Sequence, residues 1–338
     1  MLVGHRTWIF KNNPVIISTG TVGGPFEAKG NLAKDFDVLH GDKWLKQDSF
    51  EKAQQKLMEE ACQIALKKVN MTKEQIHFFI SGDLINQITP SSFAAETIGV
   101  PYFGLFSACA TSMESLSLAA MMINASGANY ILSGTASHYA ATERQYRYPT
   151  EYGSQSPPTA QWTVTGAGCA LVAKEGNGPI VTSATIGKVV DMGLTDPFNM
   201  GGAMAPAAVD TIITHFKERN IDHTYYDLIV TGDLARIGRQ TSLDLLNKQG
   251  INISEDKYVD CGIMIYKDDQ PVRAGASGTA CSAVVTYGHL LNLLKKGDIN
   301  RMLIVATGAL HSPLTVQQKG TMPCIAHAVS IESGREQQ

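Results

Sequence analysis

The stretch Phe103–Gly127, FGLFSACATSMESLSLAAMMINASG, decides how the rest of the chain is read. The apolar run Tyr102 to Phe106 predicts a buried strand, which stops at Ser107-Ala108-Cys109. Small residues and an apolar period then begin (Met113, Leu116, Leu118, Ala120, Met121), as in a buried helix. Cys109 therefore falls where a strand turns into a helix. Unpaired amides and the positive end of the helix dipole gather at such a place. Two readings follow. The thiol has a lowered pKa and acts as a nucleophile, or the same turn holds an anionic ligand.

Working outward from this stretch, the chain repeats itself. PIVTSATIG (Pro179 to Gly187) answers the strand starting at Val15, and Ala205 to Lys217 answers the helix Phe50 to Val69. ERNIDHTYYDLIVTGDL (Glu218 to Leu234) overlays KVNMTKEQIHFFISGDL (Lys68 to Leu84) without a gap. GASGTACSAVV (Gly275 to Val285) answers LFSACATSMES, and MLIVATGALH (Met302 to His311) answers NYILSGTASH. Each half reads strand, helix, strand, helix, strand, helix, strand, strand. The predicted class is α/β, with mostly parallel sheets covered by helices. The halves, residues 1–175 and 176–338, are expected as pseudo-twofold relatives, with the helices near Cys109 and Cys281 as a central layer. Extra residues around Ile251 to Ile265 suggest an added hairpin or a longer strand. Tyr139 to Trp162 has no apolar period and is long for a connection, which favours a functional loop or an interface.

Composition narrows the function. A 338-residue chain, 44% hydrophobic and 17% charged, has ample material for a core. A net charge of −3 without a basic stripe argues against nucleic acid as partner. The six cysteines (62, 109, 169, 261, 281, 324) form no C-x-x-C pair, which argues against zinc and for a reducing compartment. No calcium-loop spacing surrounds Asp268-Asp269, so neither a metal site nor a cofactor is expected. No signal peptide is evident, and no run approaches the roughly 18 apolar residues of a membrane span.

At this point the residues resemble the thiolase superfamily, through two equivalent halves and a Cys at the start of a buried helix. A finer set of motifs resembles the stage V sporulation protein AD family of spore formers: SGDLINQ (Ser81 to Gln87), FSACATSMES (Phe106 to Ser115), TERQYRYPTEYG (Thr142 to Gly153), AMAPAAVDTI (Ala203 to Ile212), DCGIMIY (Asp260 to Tyr266), ASGTACSAVVTY (Ala276 to Tyr287), TGALHSP (Thr307 to Pro313) and PCIAHAV (Pro323 to Val329). The resemblance implies an α-β-α-β-α layered fold. It also implies a protein that binds dipicolinic acid (pyridine-2,6-dicarboxylate), alone or as its calcium chelate. Such a protein would work beside membrane subunits at the spore inner membrane, in uptake of calcium dipicolinate during sporulation and its release at germination. It is compatible with a homodimer, which no residue decides.

The resemblance also bears on catalysis. Thiolase-type chemistry needs a His to carry protons and donors for an oxyanion. The family's G-H-P-x-G-x-S-G is matched here by Gln270 to Gly278, with Val272 at the His position. In the condensing synthases a His follows a second-half strand and an Asn precedes the second-half helix; those positions fall near Gly232-Asp233 and near Ser277. No catalytic residue is therefore assigned, and binding without turnover is expected. The alternative is an acyltransferase with Cys109 as nucleophile, for which His138 or His311 would have to reach Cys109; Cys324-Ile-Ala-His327 resembles the C-x-G turn that carries a second Cys in some thiolases, with His327 in place of the Gly. A planar diacid needs donors at two ends and a stacking wall. The candidates are Cys109, the amides of Ala110 to Ser112, Arg144 or Arg147, and Tyr146, Tyr148 or Tyr152. Asp83, Asn86, His138 and Ser277 complete the expected ligand-binding set. Asp83 and Asp233 are repeat equivalents at strand ends, and the reading leans to capping of the next turn's amides for both.

Overall fold

The structure, a computed structural model, describes residues 1–146 and 156–334. Arg147, Tyr148 and Tyr152 lie outside the described residues.

The repeat becomes two five-stranded arrays with the same strand order, hydrogen-bonded edge to edge, with short added strands at Leu2–Val3, Thr7–Ile9 and Val38–Leu39. In the first half the order is Tyr102–Gly104, Phe78–Gly82, Tyr130–Ser137, Gly166–Ala173 and Val15–Gly23. In the second it is Tyr258–Asp260, Leu228–Thr231, Arg301–Ala309, Cys324–Glu332 and Ile180–Thr185. The first three strands of each sheet run parallel and the last two pair antiparallel. The sheets meet where Val15 pairs with Ile180.

The helix Thr111–Asn124 touches strands of both sheets and the helix Thr279–Val284, so these two form the central layer. The sequence explains its position. Met113, Leu116, Ala119, Ala120 and Ile123 are fully buried, and Ser112, Ser115 and Ser117 between them are buried too. A helix without a polar face must be covered all round. Its serines stay satisfied: Ser112 and Ser282 bond across the two central helices at 2.6 Å, and Ser117 donates back to the Met113 carbonyl at 2.6 Å. Phe50–Lys67, started by Ser49, covers the outer face of the first sheet, and Met200–Arg219 covers that of the second. The result is the five-layered thiolase-like sandwich.

Three expectations change. Tyr102–Gly104 is an edge strand with Phe103 and Phe106 about half exposed, because nothing covers that side of the sheet among the described residues. The residues near Ile251 to Ile265 form no hairpin; they supply the edge strand Tyr258–Asp260 and the helical turn Cys261–Met264. Tyr139–Tyr146 is a helix. Its apolar period is invisible because its buried residues are Ala141, Thr142 and Glu143.

Candidate functional site

Cys109 ends a tight turn rather than capping the helix directly. Ala108 adopts a left-handed conformation at φ 48°. The Ala110 and Thr111 amides donate to the Ser107 and Ala108 carbonyls at 3.0 and 3.2 Å. The amides expected to hold a carboxylate are thus satisfied within the turn at these two residues. Ser112 lies behind the wall, bonded to Ser282. The turn sits directly on Gly308, where a Cβ would come within 2.2 Å of the Ser107 carbonyl oxygen. That close approach is what a glycine permits here.

The group beside the thiol is Asp233. This carboxyl is buried, receives the Thr307 hydroxyl at 2.6 Å and the Gly278 amide at 3.3 Å, and faces Cys109. Burial raises its pKa to about 7. Burial also pushes the Cys109 thiol well above its ordinary value; the Asp233 charge pushes it further, and the Gly278 amide opposes only weakly. The expected lowered pKa is therefore reversed: loss of water and a facing acid outweigh the helix terminus.

Cys109 opens into a cavity with about 70 Å³ open to water. Its polar lining is Thr142, Tyr146, Thr163, Ser277 and His311; Leu84, Phe198 and Met200 give it apolar walls. Ser277 and Thr163 stand side by side because Ala276–Ser277 pairs in parallel with Trp162–Thr163. The Tyr146 hydroxyl donates to the Leu84 carbonyl at 2.6 Å, and its ring meets His311 edge-on at 5.7 Å. Among the described residues, no Lys or Arg lines this cavity. A groove of about 440 Å³ adjoins it, sharing Leu84, Tyr146 and His311.

The structure thus brings Cys109 and Ser277 together and puts Asn86 in the adjoining groove. Arg144 is 54% exposed and pairs with Glu51, outside the cavity lining, because its helix turns that side toward Glu51 on the Phe50–Lys67 helix. Asp83 is buried and takes the Ile85 amide at 2.8 Å and the Ser91 amide at 2.9 Å, so it caps the following turn. His138 donates from Nε2 to the Lys43 carbonyl at 2.8 Å and stacks on Phe50 at 5.1 Å, away from Cys109. Its repeat equivalent His311 is the one that reaches the cavity. His327 bonds Ser107 at 3.3 Å and takes the Gly187 amide at 3.2 Å; burial lowers its pKa to about 4.

Asp233 is the residue that sequence reasoning placed wrongly. SGDL and TGDL look alike, yet capping in the second half falls to Asp260, which takes the Leu234 and Ala235 amides at 2.9 and 3.0 Å. Asp233 is thereby freed to face Cys109. The one available signal was the extra acid in DCGIMIY.

Comparison with known proteins agrees with this architecture. The family described as Stage V sporulation protein AD (SpoVAD) matches residues 4–332. Stage V sporulation protein AD of Bacillus subtilis (strain 168) is 46% identical over 331 residues, covering 98% of each chain. Among solved structures, human mitochondrial 3-ketoacyl-CoA thiolase superposes with a TM-score of 0.59 at 12% identity, covering 96% of this chain and 100% of that one. The 3-oxoacyl-[acyl-carrier-protein] synthase III of Aquifex aeolicus VF5 gives 0.56 at 14% identity, covering 94% and 99%. At such identities these likenesses show the fold alone. The sequence match over nearly the whole chain shows more: this chain belongs to the stage V sporulation protein AD family, on a thiolase-like fold.

Proposed function

We propose that this sporulation-family protein binds dipicolinic acid in the Cys109 cavity without turning it over, supporting uptake of calcium dipicolinate into the forespore and its release at germination. In this reading it works at the spore inner membrane beside membrane subunits; among the described residues, no helix is long and apolar enough to cross a membrane. The observation that carries the reading is the acid facing the thiol. A protonated Cys109 facing the Asp233 carboxyl is a poor nucleophile. The wall offers hydroxyls and an imidazole for carboxylate oxygens, and Tyr146 as an aromatic edge.

The lining also bears on the form of the ligand. Free dipicolinate is a dianion, and this cavity pairs it with no described cation while an acid of pKa about 7 stands beside it. The one-to-one calcium chelate carries no net charge and avoids that repulsion. The chelate is therefore the favoured species, with calcium entering as cargo.

A second reading, acyl transfer through Cys109, is favoured by one observation: His311 lines the same cavity, which adjoins an open groove. Mass spectrometry after incubation with acetyl-CoA separates the two. Binding without turnover predicts unmodified Cys109. A burst-phase or stable acetyl adduct on Cys109 would overturn it.

A further inference from the structure

A second pocket, of about 280 Å³, is lined by Trp162 and Thr165 and shares no lining residue with the Cys109 cavity. Its floor is Glu27, fully buried. Oε1 of this carboxyl is well used: it accepts the Thr165 amide at 3.0 Å and the Tyr266 hydroxyl. Oε2 has no partner. The nearby Gly24 amide is spent on the Thr165 carbonyl at 2.9 Å. Native proteins leave few buried acceptors unpaired, so such an oxygen marks a place where a donor belongs.

The walls are aromatic. Trp162 is sandwiched between Tyr139, at 3.8 Å, and Phe26, at 4.5 Å. The Trp162 Nε1 is also buried without a partner. Two exposed lysines, Lys29 and Lys43, stand at the rim. His138 borders the pocket but is occupied: Nε2 donates to the Lys43 carbonyl and Nδ1 accepts the Ala140 amide at 3.2 Å. The pocket therefore runs from cationic rim, past flat apolar walls, to a buried acceptor.

We propose that this pocket is a second binding site, which takes a small planar aromatic acid carrying an N–H or O–H donor opposite its anionic group. The anion faces Lys29 and Lys43, the ring lies along the aromatic wall, and the donor meets Glu27 Oε2. Dipicolinate has no such donor and is not the match, so the proposal stands apart from the reading of the Cys109 cavity.

Calorimetric titration with 4-aminobenzoate, which has this layout, tests it against benzoate, which lacks the donor. The expected result at pH 8, where Glu27 is mostly ionised, is saturable binding of 4-aminobenzoate, about tenfold tighter than benzoate, as one hydrogen bond to a charged group would give. Cys109→Ala leaves it unchanged. Glu27→Gln turns the acceptor into a donor and removes the preference over benzoate. Should that variant fail to fold, the exposed pair Lys29→Met and Lys43→Met decides, with an expected loss of tenfold or more. The proposal is overturned by absence of saturable heat at millimolar 4-aminobenzoate, by equal affinity for benzoate, by indifference to the lysine pair, or by loss of binding in Cys109→Ala.

Discussion

Asp233→Asn isolates the interaction on which the reading of Cys109 depends. The substitution keeps the size of the side chain and an oxygen for the Thr307 hydroxyl, now 2.6 Å away, but removes the charge. The amide nitrogen would then face the Gly278 amide, whose bond at 3.3 Å is the weaker contact. Two unit charges about 4 Å apart at an effective dielectric of about 20 interact by about 4 kcal/mol, or about a thousandfold in the thiol–thiolate equilibrium at about 1.4 kcal/mol per tenfold. Burial, the larger cause of the raised thiol pKa, is untouched, so the thiol stays above its ordinary value. The gain in thiolate is partly offset because a less basic thiolate is less nucleophilic, with a Brønsted slope near 0.5. The net expectation is an alkylation rate at Cys109 about 30-fold higher at pH 8, where Asp233 is mostly ionised in the parent. Iodoacetamide labelling followed by peptide mass spectrometry reads this directly. An unchanged or slower rate in a folded variant would refute the coupling of Asp233 to the thiol.

Three further outcomes are expected. Carboxyls held at about 7 (Glu27, Asp233) keep protons that the unfolded chain has lost, so their contribution falls as pH rises from the ordinary carboxyl range through 7. His215 and His327, held at about 3 and about 4, act oppositely, with an effect largest below the ordinary 6.5 that fades within about a unit above it, leaving the two carboxyls dominant. The urea midpoint should therefore drop between pH 6.5 and 8, and drop less in Glu27→Gln; a rise over that window contradicts the assignment. Gly308→Ala forces a methyl within 2.2 Å of the Ser107 carbonyl and should cost about 1–3 kcal/mol in urea unfolding while disturbing ligand binding at Cys109; unchanged stability would mean that the turn is not pinned there. Ala108→Gly relieves a left-handed alanine at φ 48° and should stabilise by up to about 1 kcal/mol, read in the same assay, with a loss counting against backbone strain at that turn.

The architecture was legible because a duplicated chain shows its period in local letters. SGDL and TGDL end equivalent strands, and small-residue runs mark both central helices. What was not legible depends on long-range packing. Nothing in FGLFS distinguishes an edge strand from a buried one, and Phe103 and Phe106 are about half exposed. Identical acids took different work: Asp83 caps Ser91, whereas Asp233 faces a thiol because Asp260 caps in its place. His138 and His311 parted in the same way, one anchored to Lys43, the other in the cavity wall. The helix terminus beside Cys109 suggested an acidic thiol; burial first, and the carboxyl facing it across the half-to-half boundary second, reverse it. The sequence leaves Arg144 open to a ligand, whereas in the fold it pairs with Glu51.

Calorimetric titration of the whole chain with dipicolinate, with and without equimolar calcium, tests the central claim most directly. The account predicts saturable one-to-one binding, tighter with calcium, and at least tenfold weaker after Ser277→Leu, whose side chain would intrude on the cavity. No heat and no thermal stabilisation in either form of the ligand would contradict it.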